Sequence, residues 1–217
     1  MATTMFGSVD DVDGVTEVLE ASGLPFKIHI DGAFGGFIYP FSCAESKMTF
    51  ENPHITSFTL DAHKMLQAPY GTGIFIIRKG YLPYVCTEEA QYVHGKDYTM
   101  IGSRSGANAI AVWMIMQTYG SEGWKMKISK LVDRTSRLCD NLDRMGVRYY
   151  RQPFMNIVTI KAEDISDKLA EKFVLVPDTH EDKANWWKIV VMEHVTQGVL
   201  DKFLSEFKAS RELALEV

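Results

Sequence analysis

The chain has no apolar run long enough to cross a bilayer: its longest, Ala109 to Met116, falls far short of the about 20 residues a spanning helix needs. It also lacks a lysine/arginine cluster or a basic stripe interleaved with aromatics. With a formal net charge of −5 it offers no electrostatic footprint for nucleic acid. Cysteine is scarce. Cys43, Cys86 and Cys139 have no metal-ligand spacing, and an odd count without a signal peptide is expected of buried thiols in a reducing cytoplasm, not of a disulfide framework. Internal repeats and low-complexity tracts are missing too. What remains is a globular composition, 46% apolar and 24% charged over 217 residues, sufficient for one large domain or two small ones.

Two stretches concentrate the chemistry. Ile55 to Leu60 reads as a short strand that delivers Asp61-Ala62-His63-Lys64 to a glycine-rich turn at Gly71 and Gly73, where a lysine can face a pocket. Burial beside other groups makes a lysine amine nucleophilic enough to form a Schiff base with carbonyl cofactors, although most lysines at strand ends are simply solvated. Upstream, Phe26 to Ile30 reads as a strand ending on Asp31, followed by Gly32-Ala33-Phe34-Gly35-Gly36. Small residues there let a flat ring approach the backbone. Pyridoxal phosphate needs such a pair: an amine for its aldehyde, and a carboxylate that keeps its pyridine nitrogen protonated.

The rest of the chain supplies a frame. Asp11 is a plausible N-cap for a helix with Val12, Val15, Val18 and Leu19 on one face, stopped by Gly23-Leu24-Pro25. The β-α-β rhythm predicts a parallel sheet flanked by helices, with ligands outside the carboxyl ends of the strands. Gly73 to Arg78 reads as a third, fully buried strand, and Tyr81 to Ser105 as a long loop. Ala107 to Tyr119 is apolar almost all round, which predicts a buried helix, and Gly120 and Gly123 mark a joint. From Trp124 an amphipathic pattern runs to a C′ glycine at Gly146. Strand-like runs follow at 154–160, 173–176 and 187–192, then a helix from about Gln197 bearing Val199, Phe203 and Phe207. Two domains are expected, 1–120 and a small α+β domain at 121–217.

His29-Ile30-Asp31-Gly32-Ala33-Phe34-Gly35-Gly36, then Asp61-Ala62-His63-Lys64-Met65, then Ile101-Gly102-Ser103-Arg104-Ser105-Gly106 together resemble the group II pyridoxal-phosphate amino-acid decarboxylases. The chain looks more like the branch of histidine, serine and archaeal tyrosine/aspartate decarboxylases than like the glutamate or aromatic enzymes. The resemblance runs from about residue 2 to beyond 200. It implies a fold-type-I, transferase-like α/β architecture: part of a large cofactor domain on a mostly parallel sheet, then the small domain.

In the roles the resemblance implies, Lys64 binds the cofactor aldehyde, Asp31 holds the pyridinium proton and Ala33 packs on a ring face. His63 bonds the phosphate, Ser57 is a weaker candidate for it, and Asp61 is discounted because a carboxylate repels that dianion. Thr4 would lie near the ring hydroxyl, in Ala2-Thr3-Thr4 where the family has Gly-Thr-Thr. Arg104 would fork a substrate carboxylate or hold a dimer interface, and Tyr92 would reprotonate the carbon that carbon dioxide leaves. His29, His54 and His180 read as ordinary polar residues, and no metal is expected.

The implied reaction converts an L-amino acid to its amine and carbon dioxide. Desulfurases and small aminotransferases also pair an aspartate with His-Lys, but they place glutamine three positions after the aspartate, where this chain has Phe34. Family members extend further at the N-terminus, with a ring-stacking histidine and a phosphate-cradling turn. Activity is therefore expected to need a separately encoded N-terminal chain, within a homodimer or a complex of fragments. The alternative is a non-catalytic remnant that covers an open sheet edge by self-association.

Overall fold

The computed structural model describes residues 1–86, 96, 98, 101 and 103–215 and divides into two compact units. The first is Met1, Asp11–Pro40 and Ala44–Glu122; the second is Ala2–Asp10, Phe41–Cys43 and Gly123–Val217. Residues 2–10 and 41–43 thus group with the second unit, where the sequence reading placed them in the first.

In the first unit, helix α1 (Val12–Ala21) begins at Asp11, whose side chain accepts the Gly14 N–H at 3.1 Å and satisfies one of the helix's orphan donors. Val12 is buried, but Val15 and Val18 are exposed and Thr16 fills the inner position instead. Strands β1 (Ile28–Asp31) and β2 (Ile55–Asp61) run parallel, and β3 (Gly73–Ile77) returns antiparallel on the far side of β2. This sheet is mixed, with one parallel and one antiparallel pairing. A short helix, α2 (Tyr39–Ser42), lies between β1 and β2 in the chain.

The parallel pair changes step at its start. Ile28 faces Ile55, but His29 faces Ser57 and Asp31 faces Thr59. Beyond that irregularity, Ile30 and Phe58 lie on the buried face, while His29, Asp31, Ser57 and Thr59 share the other, as strand alternation requires. Arg78 closes the amino end of β2: its Nε donates to Ile55 O at 2.7 Å, and its Nη2 to Phe50 O and to Asn52 O.

Two expectations of burial fail in this unit. Phe75 and Ile76 of β3 are exposed, because among the described residues β3 is the edge of its sheet. Helix α3 (Gly106–Arg144) breaks at Gly120 (φ 57°, ψ −173°), the joint marked by the sequence. Its first stretch is not buried: Ile110, Trp113, Met114 and Met116 are 55–62% exposed. An apolar pattern records which surroundings a helix favours, and the described residues leave more than half of each of these side chains exposed.

The second unit takes α3 from Gly123 onward, with Trp124, Ile128, Leu131, Leu138 and Leu142 buried at spacings of three and four. The helix closes in a Schellman motif: Gly146 (φ 64°) donates to Asp143 O at 2.9 Å, and Val147 to Leu142 O at 3.0 Å. An antiparallel sheet follows in the order β4-β5-β7-β6, from β4 (Tyr149–Tyr150), β5 (Ile157–Lys161), β6 (Val176–Pro177) and β7 (Trp186–Val190). Helices α4 (Asp167–Lys172) and α5 (Gln197–Leu215) complete the unit, and Leu138, Val158, Ile160, Ile189, Phe203 and Phe207 belong to one core cluster. On α5, Leu200 is buried where Val199 was expected, and Val199 is 44% exposed.

Residues 2–10 pack on this sheet. Met5 O accepts from Thr159 Oγ1 (3.3 Å) and Thr4 O from Lys188 Nζ (3.0 Å), while Phe6 meets Tyr150 and Trp186 edge-on. Burial pushes the Lys188 amine below its usual lysine value. None of the three cysteines is in a disulfide, and only Cys139 is buried. Among the described residues no cluster could hold a metal ion, and no helix is long and apolar enough to cross a membrane.

Candidate active site

Because β1 and β2 are parallel neighbours, their carboxyl ends fall on one edge of one sheet, where α/β folds bind ligands. Asp31 is the last residue of β1. Its Oδ1 accepts the Ala33 N–H at 2.9 Å, which leaves Oδ2 open among the described residues. The chain after Asp31 stays locked to β2, since Gly32 N–H donates to Thr59 O (2.8 Å) and Asp61 N–H to Ala33 O (3.1 Å). Ala33 is thereby held beside the end of β2.

Lys64 lies three residues past the end of β2, in a turn closed by Lys64 N–H to Asp61 O (3.0 Å) and Ala68 N–H to Ala62 O (3.0 Å). Its Nζ sits 2.9 Å from Asp61 Oδ2, and the side chain is 42% exposed, so the amine is accessible from solvent. Sequence reading set Asp61 aside as a phosphate ligand and missed it as the partner of Lys64. The three-residue spacing was the available signal.

His63 is oriented by the residue that leads into β3. Its Nδ1 lies 3.1 Å from Thr72 O; a carbonyl only accepts, so Nδ1 carries the proton. Nε2 points toward Asp61 Oδ2 at 4.0 Å, and the Tyr70 ring packs against the imidazole at 5.2 Å. One nitrogen is committed to fixing the ring, and one remains to meet a ligand.

The glycines after Asp31 serve the apolar face. A Cβ on Gly36 would overlap Leu60 Cδ2, and one on Gly32 would crowd the same methyl at 3.1 Å. Their smallness admits Leu60.

The other candidates lie on other segments of the chain. Ser57 is buried in the middle of β2 and hydrogen-bonded to His29 Nδ1 at 2.8 Å. Thr4 belongs to the second unit, with an exposed side chain and a carbonyl that accepts from Lys188. Ala2 there has φ 69°, a left-handed conformation that suits the glycine the family places at that position. Arg104 is exposed and lines an open groove of about 920 Å³ together with Thr72, Gly73 and Ile74, the segment that holds His63. Tyr92 lies outside the described residues.

These groups fit the pyridine end of pyridoxal phosphate: an aspartate with an open oxygen, a small residue tied to it by a backbone bond, and a reachable amine at the same edge. For the phosphate, His63 Nε2 is the nitrogen left to serve, as a donor in the imidazolium form, since Nδ1–H is committed to Thr72 O. Residues 1–149 match the family model described as the pyridoxal-dependent decarboxylase conserved domain. The chain belongs to this family.

Among curated pyridoxal-dependent decarboxylases, it is 50% identical to a tryptophan decarboxylase of Clostridium sporogenes over 96% of this chain and 50% of that one. It is 34% identical to a probable L-tyrosine/L-aspartate decarboxylase of Methanocella arvoryzae over 95% of this chain and 55% of the relative. The chain thus spans about half the length of the curated relatives it matches. The fold is that of a sphingosine-1-phosphate lyase from Burkholderia pseudomallei (TM-score 0.80, 19% identity, 97% of this chain and 50% of that one). A glutamate decarboxylase of Lactobacillus brevis shares it as well (TM-score 0.79, 21% identity, 98% and 53%). The mixed sheet and the small antiparallel domain are accordingly those of a fold-type-I pyridoxal-phosphate enzyme.

Proposed function

We propose that this chain carries the lysine-and-aspartate half of the cofactor site of an L-amino-acid decarboxylase. The observation that supports this reading is the arrival of Asp31 and Lys64 at the carboxyl ends of two adjacent parallel strands. Bound pyridoxal phosphate supplies an electron sink for the pair released when carbon dioxide leaves.

The chain's own groups do the rest. Asp31 Oδ2 accepts a hydrogen bond from the protonated ring nitrogen and keeps that proton in place. Lys64 Nζ is the amine that binds the aldehyde carbon, and Asp61 orients it. Ala33 supports a ring face, and His63 Nε2 meets the phosphate. Arg104 offers a planar fork to the substrate carboxylate, and Tyr92 delivers the proton to Cα. We assign Ser57 to His29 and not to the phosphate. The tryptophan decarboxylase relative makes aromatic L-amino acids the first substrates to try. The exposed face of α3 around Trp113 favours association with a second copy or a complementing chain.

Incubation with pyridoxal phosphate should give a visible absorbance band that borohydride traps as a covalent label on Lys64. Lys64→Ala should abolish the label, and Asp31→Ala should weaken cofactor binding. A label spread over surface lysines, or none, would overturn the proposal.

A further inference from the structure

The step between Ile28 and His29 decides what stands opposite Asp31. Continued without it from Ile28 and Ile55, the pairing would set His29 against Thr56 and Asp31 against Phe58. A one-residue slip of this kind turns every side chain of a strand to the other face. The bulky Phe58 ring would then share the face of Asp31, and Thr59 and Asp61 would leave it. The observed register instead places His29 beside Ser57 and Asp31 beside Thr59.

One side chain bonds to both of those β2 residues. His29 Nδ1 lies 2.8 Å from Ser57 Oγ and its Nε2 lies 3.1 Å from Thr59 Oγ1, with the Phe75 ring of β3 packed beside it at 6.1 Å. Two hydroxyls spaced two residues apart on one strand face match the two nitrogens of an imidazole. Each hydroxyl can donate or accept, so both contacts persist whichever nitrogen carries the proton. In the slipped register Ser57 and Thr59 face away, and neither bond can form.

We infer that His29 is a positioning residue: its bridge to Ser57 and Thr59 selects the β1–β2 register that brings Asp31 and Lys64 to a common edge. The functional half of this inference rests on the decarboxylase reading, whereas the register half does not. The bridge lies next to Asp31 in the sheet, since Thr59 is the register partner of Asp31.

The test compares wild type with His29→Phe, which keeps the ring size and loses both bonds, with Thr59→Val, and with His29→Gln, which can still donate and accept. Cross-strand NMR contacts between residues 31 and 59 should weaken in His29→Phe and persist in His29→Gln. Affinity for pyridoxal phosphate should fall about threefold to tenfold in His29→Phe and Thr59→Val, the loss expected for one or two partly exposed hydrogen bonds. His29→Gln should recover most of it. Unchanged 31–59 contacts in His29→Phe would overturn the inference, even if that variant were less stable to urea. Unchanged cofactor affinity alongside lost contacts would overturn its functional half. A wild-type chain that gives no label on Lys64 defeats the decarboxylase reading instead, and the NMR comparison then still decides the register.

Discussion

At Gly36 a methyl group would overlap Leu60 Cδ2, so Gly36→Ala should displace a side chain packed directly behind the site edge. Overpacking of this kind costs about 1–3 kcal/mol, readable as a lower urea midpoint for unfolding. An unchanged midpoint would mean that Leu60 rotates away freely. The same glycine shows what residue-level reading could and could not reach. Asp31 and Lys64 stand out in the sequence because their residue types and strand-end positions suggest one chemistry, and the strands that carry them are parallel neighbours. Gly36 was read as room for a ring, because a missing side chain does not say which neighbour uses the space. His29 was read as ordinary, since its value lies in two hydroxyls that only the strand pairing brings to it.

Helix ends were the most legible features at the scale of elements. Asp11 and Gly146 act as the local rules for caps require, through bonds to Gly14 and to Asp143. Helix α4 and strand β4 were missed because six and two residues are too few to show a period. The end of α4 is unusual. Val174 donates to Glu171 O and Leu175 to Ala170 O, the bonds of a Schellman motif, yet the left-handed position (φ 55°) is held by a β-branched residue that is 82% exposed. Glycine meets that backbone demand without the steric penalty, and little packing would be lost. Val174→Gly should therefore stabilise the chain by about 0.5–1 kcal/mol in urea unfolding. A destabilised variant would show that the valine side chain contributes more than its exposure suggests. The first stretch of α3 carries the opposite lesson: its apolar pattern was read correctly, but a pattern does not supply a covering surface.

Across the whole molecule, an ion cluster in the second unit couples folding to pH. Arg148 donates to Asp164 through its backbone N–H (2.7 Å), Nε and Nη2, and also reaches Glu163 (2.7 Å). The Arg148 guanidinium holds the Asp164 carboxyl below its usual value. A carboxyl whose folded value is depressed stabilises the fold while ionised, and that contribution disappears as pH falls through the depressed value. Arg148→Ala should thus lower the urea midpoint near neutrality. The gap from wild type should narrow on acidification below about pH 4, where unfolded aspartate takes up its proton. A gap of equal size at both pH values would assign the loss to packing.

The two sheets also differ in how they end. The second unit's sheet is flanked by β4 and β6, each two residues long, and β6 includes Pro177, so a foreign chain would find too few free backbone groups there to extend a ladder. Among the described residues the first unit's sheet is bounded by strands of four and five residues, one of them bearing exposed Phe75 and Ile76. Stickiness in a concentrated preparation should accordingly originate on the first unit, while the sheet of the second unit polices its own borders.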